Sequence, residues 1–239
     1  MDCVTFDYKK KMKRMRLNLV IVFFLLMGNI GASAQEYRVS LADKNKAIVL
    51  TNQAIEKVRD DKVDDAFKLL VEAISIDSTN RNSYLQLYRV AMNDSARVAP
   101  AISILKKSKK IFKQDDEICY YLGEMYNMKG EVKRAMAEYS MAIAFSKING
   151  EDFHLVHRYY FNRANICLGK NMISTAVLDY TYALNLKPDY GAAYANRGIC
   201  FYKMGEKDAA CKDWKQAVKL GISQSKEYVK RNCNSEVVK

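Results

Sequence analysis

A period of thirty-four residues constrains this chain more than any other feature: the stretch from His157 to Tyr190 recurs, position by position, in Gly191 to Gln224. Ala164 answers Gly198, Ala176 answers Ala210 and Ala183 answers Ala217, while Tyr160 matches Tyr194 and Tyr180 matches Trp214. Self-similarity at a fixed period of this length marks stacked supersecondary units, none of which buries its apolar face alone. Walking backwards from Ala176 by one period and a seven-residue insertion reaches Ala135, with Gly123 and Tyr126 upstream and Tyr139 and Ala142 downstream. One further period places Ala101 and Ser108, and a one-residue slip brings Ala66, Leu70 and Ala73 into the same relation. The expected units are therefore 47–80, 82–115, 116–149, 157–190 and 191–224.

Helix crossing explains the spacing. Two antiparallel helices approach closely only where side chains are small, which selects Gly or Ala near the middle of the first helix and Ala at two places one face apart on the second. Large residues fill what remains, and in the last unit Tyr194, Phe201, Trp214 and Leu220 stand at helical rather than alternating intervals. Polar turns such as Asn127-Met128-Lys129-Gly130 and Lys203-Met204-Gly205-Glu206 separate the helices. Of the two prolines, Pro188 falls in the turn between the fourth and fifth units, where a missing N–H costs least.

The tract from Tyr194 to Gly205, followed by Ala209-Ala210 and Trp214-Lys215-Gln216-Ala217, resembles the tetratricopeptide repeat in its order of aromatic, small, aromatic, glycine turn, alanine, aromatic, alanine. The third to fifth units carry the resemblance well and the first two poorly, since Arg89 stands where the family has Gly or Ala and Lys57 where an aromatic is usual. It implies an all-α, right-handed solenoid of about five antiparallel helix pairs with a capping helix and tail over 225–239. In the second unit Arg89 points either to a splayed helix crossing or to a different register; in the first, Lys57 suits a solvent-facing cap.

The resemblance also implies where such a protein binds. First helices line a concave groove, and the family pattern points Glu117, Tyr120, Glu124 and Asn127 inward from the third unit, Arg158, Phe161, Asn165 and Leu168 from the fourth, and Ala192, Ile199, Tyr202 and Lys203 from the fifth. Asn162 and Asn196 match the asparagine that in many relatives bonds a bound peptide's backbone, a task that suits an amide because it both donates and accepts. The alternative for both is a hydrogen bond to a neighbouring helix or turn. The paired lysines with which some relatives clamp a C-terminal carboxylate have no counterpart, because those sites hold Tyr120 and Ala195.

The N-terminus is a separate object. Lys9, Lys10, Lys11, Lys13, Arg14 and Arg16 precede an apolar run from Leu17 to Ile30, and Ala32-Ser33-Ala34 supplies small residues at both positions a signal peptidase reads. This pattern predicts a secretory signal peptide over 1–34 and a lead-in over 35–46. The alternative, an uncleaved anchor, falls short of the roughly 20 apolar residues needed to span hydrocarbon. The expectation is an exported, periplasmic or otherwise extracytoplasmic protein with no stable transmembrane span after cleavage.

The formal charge of +12 divides accordingly, +4 in the leader and +8 beyond it. Lys106, Lys107, Lys109, Lys110 and Lys113 hold much of the remainder on the second unit's second helix; they read as a solvated outer face or, alternatively, as a docking patch for an acidic partner or anionic surface. Phe112 alone stands among them, short of the repeated aromatic interleaving of nucleic-acid surfaces, so a nucleic-acid partner is not expected.

Five cysteines follow the leader, an odd number that cannot all pair internally. Cys211 stands ten residues before the turn at Gly221 and Cys233 twelve after it. Antiparallel helices at 1.5 Å per residue bring the two back to within about 3 Å of the same level, which predicts a Cys211–Cys233 disulfide stapling the C-terminal cap. The alternative is that both are small apolar fillers, the reading given to Cys119, Cys167 and Cys200.

Nothing in the sequence supports catalysis. His154 and His157, three apart and near Glu151 and Asp152, are the only histidines and lack defined further donors for a metal. No phosphate-cradling glycine loop or nucleophile motif occurs, and no cofactor is expected. Two functions follow: a non-catalytic scaffold gripping a partner protein or peptide in its groove, or an envelope-associated accessory subunit recognising a glycan or anionic polymer through its surface.

Overall fold

The computed structural model describes residues 38–151 and 153–233. The predicted signal peptide, Cys3 with it, and the tail beyond Cys233 lie outside the described residues. The chain divides into two units, 1–40 and 41–239, and everything below concerns the second.

Among the described residues it forms eleven helices and no strand: α1 (Leu41–Arg59), α2 (Val63–Ile76), α3 (Arg81–Ala91), α4 (Ser95–Ser108), α5 (Asp116–Met128), α6 (Val132–Asn149), α7 (Val156–Gly169), α8 (Ile173–Leu186), α9 (Gly191–Lys203), α10 (Lys207–Lys219) and α11 (Ser225–Asn232). Each packs chiefly on its neighbours in sequence, and α1 also touches α3 as α7 touches α9, so that helix pairs stack side by side into an all-α solenoid. The first helix begins at Leu41, six residues inside the stretch expected to be a lead-in.

Three-residue turns join the members of each pair, and four of the five share one backbone device. The middle residue, Asp61, Gly130, Asn171 or Gly205, takes positive φ (59°, 72°, 59° and 83°). The N–H of the following residue then reaches back to the carbonyl five positions earlier: Lys62 to Lys57, Glu131 to Tyr126, Met172 to Cys167 and Glu206 to Phe201. This is the left-handed helix stop that glycine adopts freely and Asn or Asp tolerates best among the rest. The turn over 92–94 lacks it; there the Asp94 carboxylate caps α4 by accepting from the N–H of Ala96 at 2.9 Å.

The pairs cross where the side chains are small. Ala66 and Ala73, Ala135 and Ala142, Ala176 and Ala183, and Ala210 and Ala217 are all fully buried on the second helices. Between those alanines on the same helices stand the buried Tyr139, Tyr180 and Trp214, and Tyr139 and Trp214 close over Gly123 and Gly198 of the first helices. A Cβ built at Gly198 would lie 2.6 Å from Trp214 Nε1 and 3.2 Å from the carbonyl oxygen of Ala210, and one at Gly123 would lie 2.6 Å from the Tyr139 ring. Trp214 uses the room by donating from Nε1 to the carbonyl of Ala195 at 3.2 Å.

The second pair departs from the expected register. Arg89 is exposed, α3 is only eleven residues long, and its turn comes early, so that Val98 and Leu105 take the places on α4 that alanines hold elsewhere. Ala101 and Ser108 are buried as well, but one helical turn further on. Val98 and Leu105 are bulkier than the alanines at the other crossings, and the short α3 packs less extensively on α4 than the other first helices do on their partners. The loop 109–115 absorbs the residues that the short first helix leaves over. Pro100 lies inside α4, where it removes one helical hydrogen bond.

Two ion pairs between half-buried arginines and buried aspartates tie successive repeats together. Arg163 grips Asp179 on α8 with two hydrogen bonds of 2.8 and 2.7 Å and reaches Ser140 on α6 at 3.2 Å. Thirty-four residues on, Arg197 grips Asp213 on α10 at 2.7 and 2.9 Å and reaches Thr181 on α8 at 3.0 Å. Each arginine thus fastens its own pair and the preceding second helix in one fork, the geometry that guanidinium suits best.

The stack ends at α11. Tyr228 stacks on Trp214 with centroids 5.0 Å apart, and Cys211 and Cys233 are joined by a disulfide with a Cα–Cα distance of 5.6 Å. Cys119, Cys167 and Cys200 are free and buried; burial pushes the Cys119 thiol up to about 12 and the Cys200 thiol up to about 11.

Overpacking at the crossing gives the first test. Gly198→Ala should cost about 2 kcal/mol and lower the melting temperature by several degrees, because Trp214 and the Ala210 carbonyl must both give way. Gly169→Ala, where a Cβ meets nothing within 4 Å, should leave it unchanged or raised. Reduction of Cys211–Cys233, or Cys211→Ser with Cys233→Ser, removes a crosslink of sequence separation 22. That should destabilise the cap by about 3 kcal/mol and open α11 to limited proteolysis while α1 to α9 stay resistant.

Candidate functional site

The first helices α3, α5, α7 and α9 present one continuous polar and aromatic face, and its side chains are organised by bonds between helices. Arg81 on α3 holds Asp115 at 2.6 and 3.0 Å and Glu117 at 2.7 Å, and Glu117 accepts from the Tyr121 hydroxyl at 2.5 Å. Glu124 on α5 accepts from the Tyr88 hydroxyl of α3 and from Asn162 Nδ2 of α7, the latter at 3.1 Å. Tyr88 also stacks on Tyr121 with centroids 3.8 Å apart. Asn165 Oδ1 accepts from the Tyr180 hydroxyl at 2.6 Å and from Asn196 Nδ2 of α9 at 2.8 Å. Carboxylate and amide oxygens therefore serve as knots between one repeat and the next.

Three of the residues singled out from the sequence come together. Asn127, Asn162 and Asn165 line a depression of about 380 Å³ with Val132, Ile166, Gly169 and Lys170, at the turn end of the third and fourth pairs. Asn127 is exposed, whereas Asn162 and Asn165 are half-buried and already bonded once or twice within the protein. Asn162 also has the Tyr139 hydroxyl as a neighbour, so the exposed Asn127 is the least committed of the three amides.

Arg158 and Phe161 lie elsewhere on α7. Phe161 packs on Tyr190 at 4.7 Å and Tyr180 at 5.8 Å, His157 meets Tyr190 edge-on at 5.1 Å, and the exposed Arg158 has Tyr120, Tyr190 and Glu124 as its electrostatic neighbours. Burial, reinforced by the Lys187 and Arg158 cations, depresses the His157 pKa below its ordinary value. His154 turns away to meet Phe153 at 4.5 Å. Tyr202 and Lys203 are exposed at the end of α9, where Tyr202 packs on Trp214 at 5.6 Å, and neither lines the depression.

Tyr120 is a correction. It is 1 % exposed, stacked on Tyr159 at 4.8 Å and tilted against Tyr139 at 6.1 Å, so it belongs to the core between α5, α6 and α7 and offers a partner nothing. Tyr159 and Tyr139 enclose its ring, and Ala195 at the same place in the fifth unit is buried too, whereas Phe161 at that place in the fourth unit is half-buried. Asn196 departs from expectation more mildly: its amide is spent on Asn165, as the alternative reading of the asparagines allowed.

Sequence reasoning missed Tyr88, Tyr190, Val132 and Lys170. Tyr88 was hidden by the shifted register of the second pair, and Tyr190 and Lys170 stand in turns that the inward-facing pattern does not cover. Glu124 was readable as inward but not as the junction of three helices.

The opposite face carries the lysine cluster. Lys106, Lys107 and Lys110 border a depression of about 410 Å³ with Lys129, Arg134 and Glu131, whereas Lys109 is drawn off to Glu138 at 2.8 Å. Among the described residues no group of three His, Cys, Asp or Glu is placed to hold a metal ion, and no helix is long and apolar enough to cross a membrane.

No family model matches the chain. It is 27% identical over 118 residues to the DnaJ homolog subfamily C member 3 of Bos taurus and 26% identical to that of Homo sapiens, matches that cover 49% of this chain and 21% of each relative. The chain thus spans about a fifth of the length of those relatives. Among solved structures, MamA superposes with a TM-score of 0.62 at 21% identity over 76% of this chain and 94% of that one. YrrB, described as a TPR protein with an unusual peptide-binding site, gives 0.59 at 16% identity over 77% of this chain and 91% of its own. PilF of Pseudomonas aeruginosa gives 0.64 at 13% identity over 75% of this chain and 78% of its own. The thirty-four-residue period, the paired helices crossing at small residues and these likenesses agree: the chain has the tetratricopeptide-repeat fold.

Proposed function

We propose that this protein is a non-catalytic scaffold that grips an extended segment of a partner protein along its first-helix face. The observation that carries the reading is the depression lined by Asn127, Asn162 and Asn165, in which Asn162 and Asn165 are positioned by bonds to Glu124, Tyr180 and Asn196 while the exposed Asn127 faces solvent. Preset amides suit a peptide backbone because they cost little ordering on binding. Phe161, Tyr190 and Arg158, higher on the same face, supply an aromatic and cationic anchor of the kind that dominates interface energies. YrrB, of like fold, is described as having a peptide-binding site.

The place of action is outside the cytoplasm. The leader pattern of bases, apolar run and Ala32-Ser33-Ala34 supports export, and so does the Cys211–Cys233 disulfide, a bond that persists in oxidising compartments. A second reading, an accessory subunit that recognises a glycan or anionic polymer, draws on the basic depression around Lys106, Lys107, Lys110, Lys129 and Arg134.

Peptides selected from a random library on the purified protein separate the two. Phe161→Ala with Asn127→Ala should weaken the selected peptides by about tenfold or more while circular dichroism stays unchanged. Lys106→Glu with Lys110→Glu should leave them bound; the reverse pattern would favour the polymer reading. A reporter enzyme active only outside the cytoplasm, fused after residue 34, should be active with the native leader and silent when Lys9 to Lys11 and the Leu17 to Ile30 run are deleted.

A further inference from the structure

The C-terminal end carries a cleft that the first-helix face does not include. Helices α10 and α11 repeat one short pattern, with Lys215, Val218 and Lys219 on the first and Lys226, Val229 and Lys230 on the second. Spacings of three and four residues set each triplet on one side of its helix. The two sides meet, because these six residues together line a cleft of about 470 Å³. The valines are half-buried at its floor and the four lysines exposed at its rim.

The rim charge is not neutralised. Among the described residues none of the four lysines is ion-paired, and the nearest carboxylates in sequence are committed elsewhere, Asp213 to Arg197 at 2.7 Å and Glu227 to Arg231 at 2.5 Å. Lys215 and Lys219 form a ridge, since they also border a larger cleft of about 800 Å³ on the other flank of α10, walled by Tyr194 and Phe201 and edged by Lys212. There the Arg197 guanidinium lies over both rings, 5.5 and 5.6 Å from their centroids. The disulfide and the stacking of Tyr228 on Trp214 hold α11 against α10, so the smaller cleft exists before anything binds.

Charge and shape together select the occupant. A hydrophilic polyanion would pair with the lysines and leave the valine floor unused. A flat anionic bilayer would meet the ammonium groups without reaching valines recessed between them, and surface-binding helices need an outward apolar face. A polypeptide in which carboxylates flank an aliphatic side chain satisfies both demands. We propose that this outer cleft binds an acidic segment of a partner protein, one aliphatic side chain seated between Val218 and Val229 and its flanking carboxylates paired with Lys215, Lys219, Lys226 and Lys230. The site is independent of the first-helix face, so the scaffold holds two segments at once.

The probe is a fluorescent peptide of Asp-Glu pairs separated by single leucines, followed by anisotropy at near-physiological salt. Saturable binding is expected, weakened at least about tenfold by Lys219→Glu with Lys226→Glu and by Val229→Asp, and unaffected by Phe161→Ala with Asn127→Ala. Should charge reversal lower the melting temperature, Lys219→Gln with Lys226→Gln reads the same loss in a folded protein. Equal binding of a peptide with amides in place of the acids, or with serines in place of the leucines, overturns the proposal. Loss of binding in the Phe161 and Asn127 variant alone, or equal competition by vesicles containing phosphatidylglycerol, overturns it as well.

Discussion

Close approach of helices at glycine and alanine is the constraint from which the rest of this solenoid follows. Gly198 and Ala210 leave a space only as deep as an indole, Trp214 fills it, and Trp214 in turn supports both Tyr202 on one side and Tyr228 of the cap on the other. Because the same arrangement recurs at Gly123 with Tyr139, the first helices are held at a regular spacing. Regular spacing is what lets a carboxylate on one repeat meet a hydroxyl or amide on the next, as Glu124 meets Tyr88 and Asn162. The second pair departs from the rule: Val98 and Leu105 stand at its crossing in place of alanines, and the short α3 packs less extensively on α4.

The sequence made the third to fifth pairs legible because there the small and large residues alternate at the period without interruption. Its resolution failed where other residues could do the same physical task. In the second pair Ala101 and Ser108 sit one turn from Val98 and Leu105, all four are buried or nearly so, and no periodic argument tells which couple faces α3. The start of α1 at Leu41 was hidden because its first turns bury little and so carry no apolar stripe; only Ala47, Thr51 and Ala54 mark the inward side. The arginine forks at Arg163 and Arg197 were within reach, since arginine and aspartate recur sixteen residues apart in consecutive units, but a lone pair of that kind reads equally well as surface charge.

For the site the ambiguity is chemical. An asparagine on a first helix looks the same in sequence whether its amide waits for a peptide or is engaged by the next helix, and here Asn165 and Asn196 are engaged with each other while Asn127 is exposed. The inward-facing pattern also ranks a tyrosine as a groove contact without asking what lies beside it. Tyr120 is enclosed because Tyr159 arrives from α7, a neighbour whose position depends on the insertion between the third and fourth units, and only coordinates reveal that geometry.

The two faces divide the work by the way each deals with charge. On the first-helix side Glu117 and Glu124 are bonded across helix boundaries, which presets the face for reading a backbone. On the second-helix side Asp179 and Asp213 are taken up by the half-buried Arg163 and Arg197, and among the described residues Lys215, Lys219, Lys226 and Lys230 at the C-terminal end have no ion-pair partner. The Arg197–Asp213 pair that fastens the last repeats therefore also withholds a carboxylate from the C-terminal lysines. Stacking and charge display are one consequence of where the carboxylates were placed, and a substitution at Asp213 would disturb the joint between repeats and the field over the C-terminal lysines together.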